Sequence, residues 1–156
     1  MKITKKLEPI AIGVSASIII GLLAFLSFET STGFWLMFSF GSTTLIILVF
    51  YNSEFAQPNN IFFGHLLGII VGILFNETIG MSYISLGLAV GTTVSLMIYF
   101  KVVHPPAAAN PLIALFADVS TEYIFFPVLS GALVIIVLSV IFNKLIFKRN
   151  YPKRWF

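Results

Sequence analysis

Residues 101 to 112 read KVVHPPAAANPL: a lysine, a histidine, three prolines and an asparagine, set in a chain that is otherwise nearly continuous hydrocarbon. Pro105 and Pro106 carry no N–H, so the carbonyls of Lys101 and Val102 receive no helical bond from them. Proline also pushes its predecessor into extended backbone, which predicts that a helix stops near Val103 with His104 extended. Asn110-Pro111 then reads as a new start, with Asn110 as N-cap and Pro111 in the first turn of a short helix over 112–119.

The surroundings explain why such a break is informative. Of 156 residues, 58% are hydrophobic and only 10% charged, and the mean hydropathy is +1.02. Soluble domains hold about 25% charged residues, and so small a core could not hide this much Phe, Ile and Leu. The chain is therefore expected to be an integral membrane protein, with a bacterial inner (cell) membrane the expected location. Lipid-exposed irregular backbone is not tolerated at membrane depth, so the break is predicted to be buried in protein or to line a wet cavity.

Apolar runs fall at about Pro9–Phe28, Phe34–Tyr51, Ile61–Ile79, Tyr83–Val103 and Tyr123–Phe147. Each approaches the roughly 17–25 residues that cross a hydrocarbon core. The apolar piece 112–119 is too short to do so. The reading is an all-α transmembrane fold of about five membrane-spanning helices in one domain over 1–156. A re-entrant or broken segment follows the fourth span. The N-terminal MKITKKLEP precedes about 20 apolar residues without a small-residue cleavage pattern, so it reads as a retained first span. Topology stays open: five spans separate the termini, yet both ends are basic, and the positive-inside rule prefers an even count.

The net charge of +3 gathers at the ends, at Lys2, Lys5 and Lys6 and again at Lys144, Lys148, Arg149, Lys153 and Arg154. That pattern suits anionic lipid headgroups and excludes a nucleic-acid interface. No cysteine is present, two histidines are a thin basis for a metal site, and no carboxylate lies clearly mid-span. No cofactor, metal or catalytic group is expected, and the protein is not read as an enzyme.

GSTT at 41–44 and GTTV at 91–94 lie fifty residues apart, and Asn60 and Asn110 keep that offset. This suggests a parallel repeat of two spans followed by a Pro-containing break, AQPNN in the first copy and HPPAAANP in the second. Small residues spaced by four, at 13/17/21, 64/68/72 and 87/91/95, predict close helix packing, some of it between subunits of a homo-oligomer. Trp35, Tyr83, Tyr123, Tyr151 and Trp155, near span ends, read as an aromatic belt.

The candidate pathway residues follow from the two breaks. A helix start turns its free N–H groups and positive dipole end towards the gap, which favours an anion. Lys101 adds charge and His104 a hydrogen-bond donor, beside Pro105, Pro106 and Asn110. The first break offers Gln57, Asn59 and Asn60, the last as N-cap of the third span. Each has a plainer reading: Lys101 can snorkel, Asn110 can merely cap, and His65, next to Gly64, can be a satisfied core histidine. An ionisable residue held inside a membrane protein, as His104 is, counts as functional by default.

These residues resemble the HPP family of small integral membrane proteins, named for the tripeptide found here at His104-Pro105-Pro106. AQPNN with GH (56–60, 64–65) is similar to the family's AQPRN…GH, HPPAAANPL to HPPAGANPL, and YPKRW (151–155) to its YP-R-W tail. Together these cover the chain from about residue 34 to its end. Asn59 stands where the family commonly has arginine and Ala108 where it has glycine. The family is usually described with four spans, and relatives in cyanobacteria and plastids are associated with nitrite transport. The resemblance implies transport of a small inorganic, nitrite-like anion. The alternative is a non-transporting assembly or sensory subunit of the membrane.

Overall fold

The computed structural model describes residues 4–31 and 33–155, and among these every regular element is helical. α1 spans Glu8–Glu29, α2 Ser39–Val49, α3 Pro58–Thr78, α4 Tyr83–Tyr99, α5 Asn110–Ala117 and α6 Ser130–Ile141. Tight 3-10 turns precede α3 (Glu54–Ala56) and α5 (Pro105–Ala109), and wider π-type turns flank α6 at Ile124–Leu129 and Phe142–Ile146. Among the described residues three stretches are long and apolar enough to cross a membrane: Glu8–Glu29, Pro58–Thr78 and Ile124–Ile146.

The second apolar run is helical only over Ser39–Val49, 11 residues or about 17 Å. Its first part is extended because Ser27 Oγ accepts from the backbone N–H groups of Trp35 (2.9 Å) and Leu36 (3.1 Å), holding them against α1. Hydrophobicity alone does not report such a capture. Pro127 interrupts the last run, where Phe126 leaves helical geometry (φ −128°, ψ 116°).

α4 stops earlier than the prolines require. Lys101 takes left-handed backbone (φ 57°), its N–H meets Ile98 O (3.2 Å), and the Val102 N–H reaches Met97 O (2.9 Å). This pair of bonds is a Schellman cap, so the helix is finished at Tyr99 before the first proline. α3 ends with Gly80 in the same left-handed role (φ 77°), its N–H on Asn76 O (3.1 Å).

The segment after α4 does not turn back to the face it came from. Asn60 bonds to Val103 O (2.9 Å), Gly64 abuts His104, Gly68 abuts Ala107, Gly72 abuts Pro111 and Ala114, and Asn76 bonds to Asp118 (2.7 Å). Residues 103–118 thus accompany α3 along sixteen residues, about 24 Å. The expected re-entrant segment is replaced by a strand-like entry, a 3-10 turn and a short helix lying in one groove. A Cβ on Gly68 would stand 2.5 Å from Ala107 O, and one on Gly72 would stand 2.6 Å from the Ala114 Cβ. The 64/68/72 stripe makes this groove. The other two stripes differ: Gly13, Gly21, Gly87 and Gly91 have nothing within 4 Å of a built Cβ and face outward.

Arg149, beyond α6, ties the chain's two ends together. Its guanidinium pairs with Glu8 at the start of α1, donates to Leu48 O (2.6 Å) and Asn143 Oδ1 (3.2 Å), and lies over the rings of Tyr51 (4.4 Å) and Phe147 (4.5 Å). The start of α1 and the basic stretch after α6 therefore sit at the same end of the bundle, as the positive-inside pattern prefers.

A buried polar core between two histidines

α2, α3 and the proline break bring five polar side chains together, and Ser39, Thr43, His65, His104 and Asn110 are all at most 4% exposed. His65 comes from the second turn of α3, one residue after Gly64, whose missing side chain lets His104 approach. The two imidazoles meet edge-on, with centroids 4.9 Å apart. Phe40 packs edge-on against the other side of His65 (5.3 Å).

The Thr43 hydroxyl joins the rings. Its Oγ1 lies 2.8 Å from His65 Nε2, 2.9 Å from His104 Nε2 and 3.1 Å from Ser39 O. One proton serves these three neighbours, and the hydrogen-bond inventory decides its place. Phe55 O can only accept, so His104 Nδ1, at 2.7 Å, carries a proton and donates to it. Neutral His104 then presents a bare Nε2, which shares the Thr43 proton with Ser39 O; without it two lone pairs would face each other. Thr43 Oγ1 in turn accepts from His65 Nε2–H. His65 Nδ1 is left to accept from Asn110 Nδ2 (3.1 Å), whose second proton goes to His65 O (3.0 Å). Asn110 Oδ1 accepts from Ser39 Oγ (3.0 Å). Donation runs one way, from Ser39 through Asn110, His65 and Thr43 to His104 and Phe55. Two neutral rings of opposite tautomer satisfy every member, and such a closed network avoids the cost of unpaired buried polar groups.

Of the residues expected from sequence, His104, Asn110 and His65 converge here. Pro106 is buried and Pro105 exposed, together opening the turn beneath His104. Asn110 does not cap: it is the first residue of α5 in helical geometry, with its side chain turned to His65. The gap expected between a helix stop and a helix start is filled by the Pro105–Ala109 turn, whose Ala107 N–H bonds to His104 O (3.0 Å). Asn60 likewise lies inside α3 and donates to Val103 O, pinning the residue before His104. Lys101 is exposed and serves as the helix-terminating residue, away from the cluster. Asn59 is half-buried beside an apolar groove of about 550 Å³ that Phe63, Leu67 and Phe100 also line.

Gln57 belongs to a second layer. Its Nε2 donates to Tyr51 O (3.1 Å) and Ser53 O (2.8 Å), and its Oε1 accepts from the Lys153 N–H (2.8 Å). Tyr151, expected in an aromatic belt, is instead wholly buried, and its hydroxyl donates to Ala56 O (2.7 Å). The sequence reading missed Thr43, Ser39 and this tail as site residues. Thr43 lies in GSTT, a motif that registered only as a repeat marker, and Ser39 stands one helical turn before it among apolar residues. Among the described residues no three His, Asp or Glu side chains cluster as metal ligands.

A family model described as "HPP, transmembrane region" matches residues 3–152. Two curated relatives are transmembrane proteins of Dictyostelium discoideum. One is 31% identical over 125 residues, covering 75% of this chain and 44% of the relative; the other is 30% identical over 129 residues, 78% and 42%. This chain thus spans less than half the length of these relatives. No solved structure matches. With a family match along nearly its whole length and the His104-Pro105-Pro106 tripeptide at its polar centre, the chain is an integral membrane protein and belongs to the HPP transmembrane family.

Proposed function

We propose that the protein carries a small monovalent anion across the membrane, nitrite being the leading candidate, with the His65–Thr43–His104 cluster as the selective region. The observation that carries this reading is the cluster itself. Five polar side chains, two of them imidazoles, are buried in an apolar bundle where hydrocarbon would pack more cheaply. Imidazole, hydroxyl and amide donors are the groups that would replace an anion's hydration shell. The choice of nitrite rests on the family resemblance alone. The arrangement described here is then the closed form. Gly87 and Gly91 of α4, with nothing packed on them, leave room for a second copy.

One observation favours the second reading, a membrane assembly or sensory subunit in which the breaks are folding devices. Every hydrogen-bonding group of the cluster is already satisfied from within, and none of the described cavities is lined by His104 or Asn60. Nitrite flux into proteoliposomes separates the two. The transport reading expects flux above empty vesicles that falls at least tenfold in His104→Ala while the protein still melts cooperatively. Inserted wild-type protein no leakier than empty vesicles would overturn it.

A further inference from the structure

The segment after Arg149 returns along the first proline break and closes it. Arg149 anchors the turn through Glu8, Leu48 O and Asn143. Tyr151 then inserts fully, with its hydroxyl on Ala56 O; the Lys153 N–H meets Gln57 Oε1; and the Arg154 guanidinium reaches Asn60 Oδ1 at 3.5 Å. These three points fall on three of the five residues of AQPNN. That break lies directly over the polar core, since Phe55 O receives His104 Nδ1–H and Asn60 holds Val103 O. The contacts are of a releasable kind. One uses a backbone group of the tail itself, the Lys153 N–H, one is a long contact of 3.5 Å from Arg154, and Lys153 and Arg154 are themselves exposed.

We propose that residues 151–154 form a latch that seals the Pro58 end of the polar core, and that its release admits water and small solutes to Ala56, Gln57 and the His104 ring behind them. Tyr151 is the bolt, because it alone fills volume; Gln57 is the keeper, because it grips both the tail and the loop at 51–53. Only the flux arm of the test below rests on the transport reading.

The chain has no cysteine, so one introduced thiol is the sole reactive group. Ala56→Cys places it under Tyr151, where Ala56 is 0% exposed; Asn52→Cys is an exposed control and Ala132→Cys a buried one. In vesicles, a membrane-impermeant maleimide should label the thiol at 56 at least tenfold more slowly than that at 52. Adding Tyr151→Ala should bring the two within about threefold while position 132 stays unreactive. Gln57→Ala, which leaves the tail sequence intact, should give an intermediate rate and covers the case in which Tyr151→Ala fails to fold. Rapid labelling at 56 with the tail unaltered, or no acceleration in either variant, would overturn the latch. In the flux arm, accelerated labelling without any rise in nitrite entry would refute the transport reading and leave the latch standing.

Discussion

Gly68→Ala is the sharpest test of the idea that a glycine groove holds the proline break. The added Cβ would lie 2.5 Å from Ala107 O and 3.1 Å from the Asn110 Cβ, where ordinary contact begins near 3.4 Å. Neither neighbour is the movable end of a side chain, so α3 and the break must part by about 0.9 Å. Overpacking of this kind costs about 1–3 kcal/mol. The shift also carries Asn110 away from His65, weakening two bonds of about 0.5–1.5 kcal/mol each. With up to about 1 kcal/mol returned by helix propensity, the expected loss is roughly 1–5 kcal/mol, read as a lower midpoint in thermal melts of detergent-solubilised protein. Gly91→Ala is the matched control. It lies on an equally regular small-residue stripe, but nothing stands within 4 Å of its added Cβ. Helix propensity would favour that substitution by up to about 1 kcal/mol. If both variants melt together, or if Gly91→Ala is the worse, the groove does not have the role assigned to it.

Thr43→Val keeps shape but removes the bridge, leaving His65 Nε2–H and His104 Nε2 unpaired, at about 1–3 kcal/mol each; Thr43→Ser should recover most of the loss in the same melts. Nitrogen NMR of labelled imidazoles should show His104 protonated at Nδ1 and His65 at Nε2, and the opposite pair of tautomers would refute the donation order. Arg149→Lys should cost more than loss of a surface charge, because an ammonium cannot both fork between Leu48 O and Glu8 and stack on Tyr51 and Phe147; a melt unchanged within about 0.5 kcal/mol would contradict this. Burial raises the Tyr151 phenol above its usual value near 10. Its contribution is then fully present below about pH 10 and is lost as pH climbs towards the raised folded value, since the exposed phenol ionises first. Tail release should therefore grow on the alkaline side, visible as a rise in thiol labelling at position 56 relative to the exposed position 52 at the same pH, which cancels the thiol's own ionisation.

Much of the architecture was legible in the chain because hydrocarbon length and proline chemistry are local. α1, α3 and the last apolar run appear in both readings, and His104 is extended before Pro105 as proline chemistry requires, although α4 itself ends earlier, at Tyr99. The parts that could not be read depend on partners distant in sequence. Ser27 captures the backbone of Trp35 and Leu36, so the second run is half extended. Lys101 looked like a charge aimed at a site, whereas it occupies a left-handed helix end. Asn60 and Asn110 looked like caps because Asn-before-helix is a strong local signal; tertiary partners at Val103 O and His65 outbid it. Small-residue spacing marked three equal stripes, yet only the one beside the break is packed. Nothing in the spacing tells which face a neighbour will choose.

The wedge of residues 103–118 in the α3 groove bears on where motion can occur. A proline break invites the word hinge, but here it is keyed to its neighbour at Asn60, Gly64, Gly68, Gly72 and Asn76, along the whole of its path. Bending at the prolines would unseat five points at once. α2 meets the same pair at this core through Ser39 and Thr43, by hydroxyl bonds that re-form easily, and through the Phe40 ring lying on His65. The stiff body is thus α3 with its proline segment, and the slip plane lies against α2. If the core opens, Thr43 is where the parting begins, with the two histidines staying together on the same side of it.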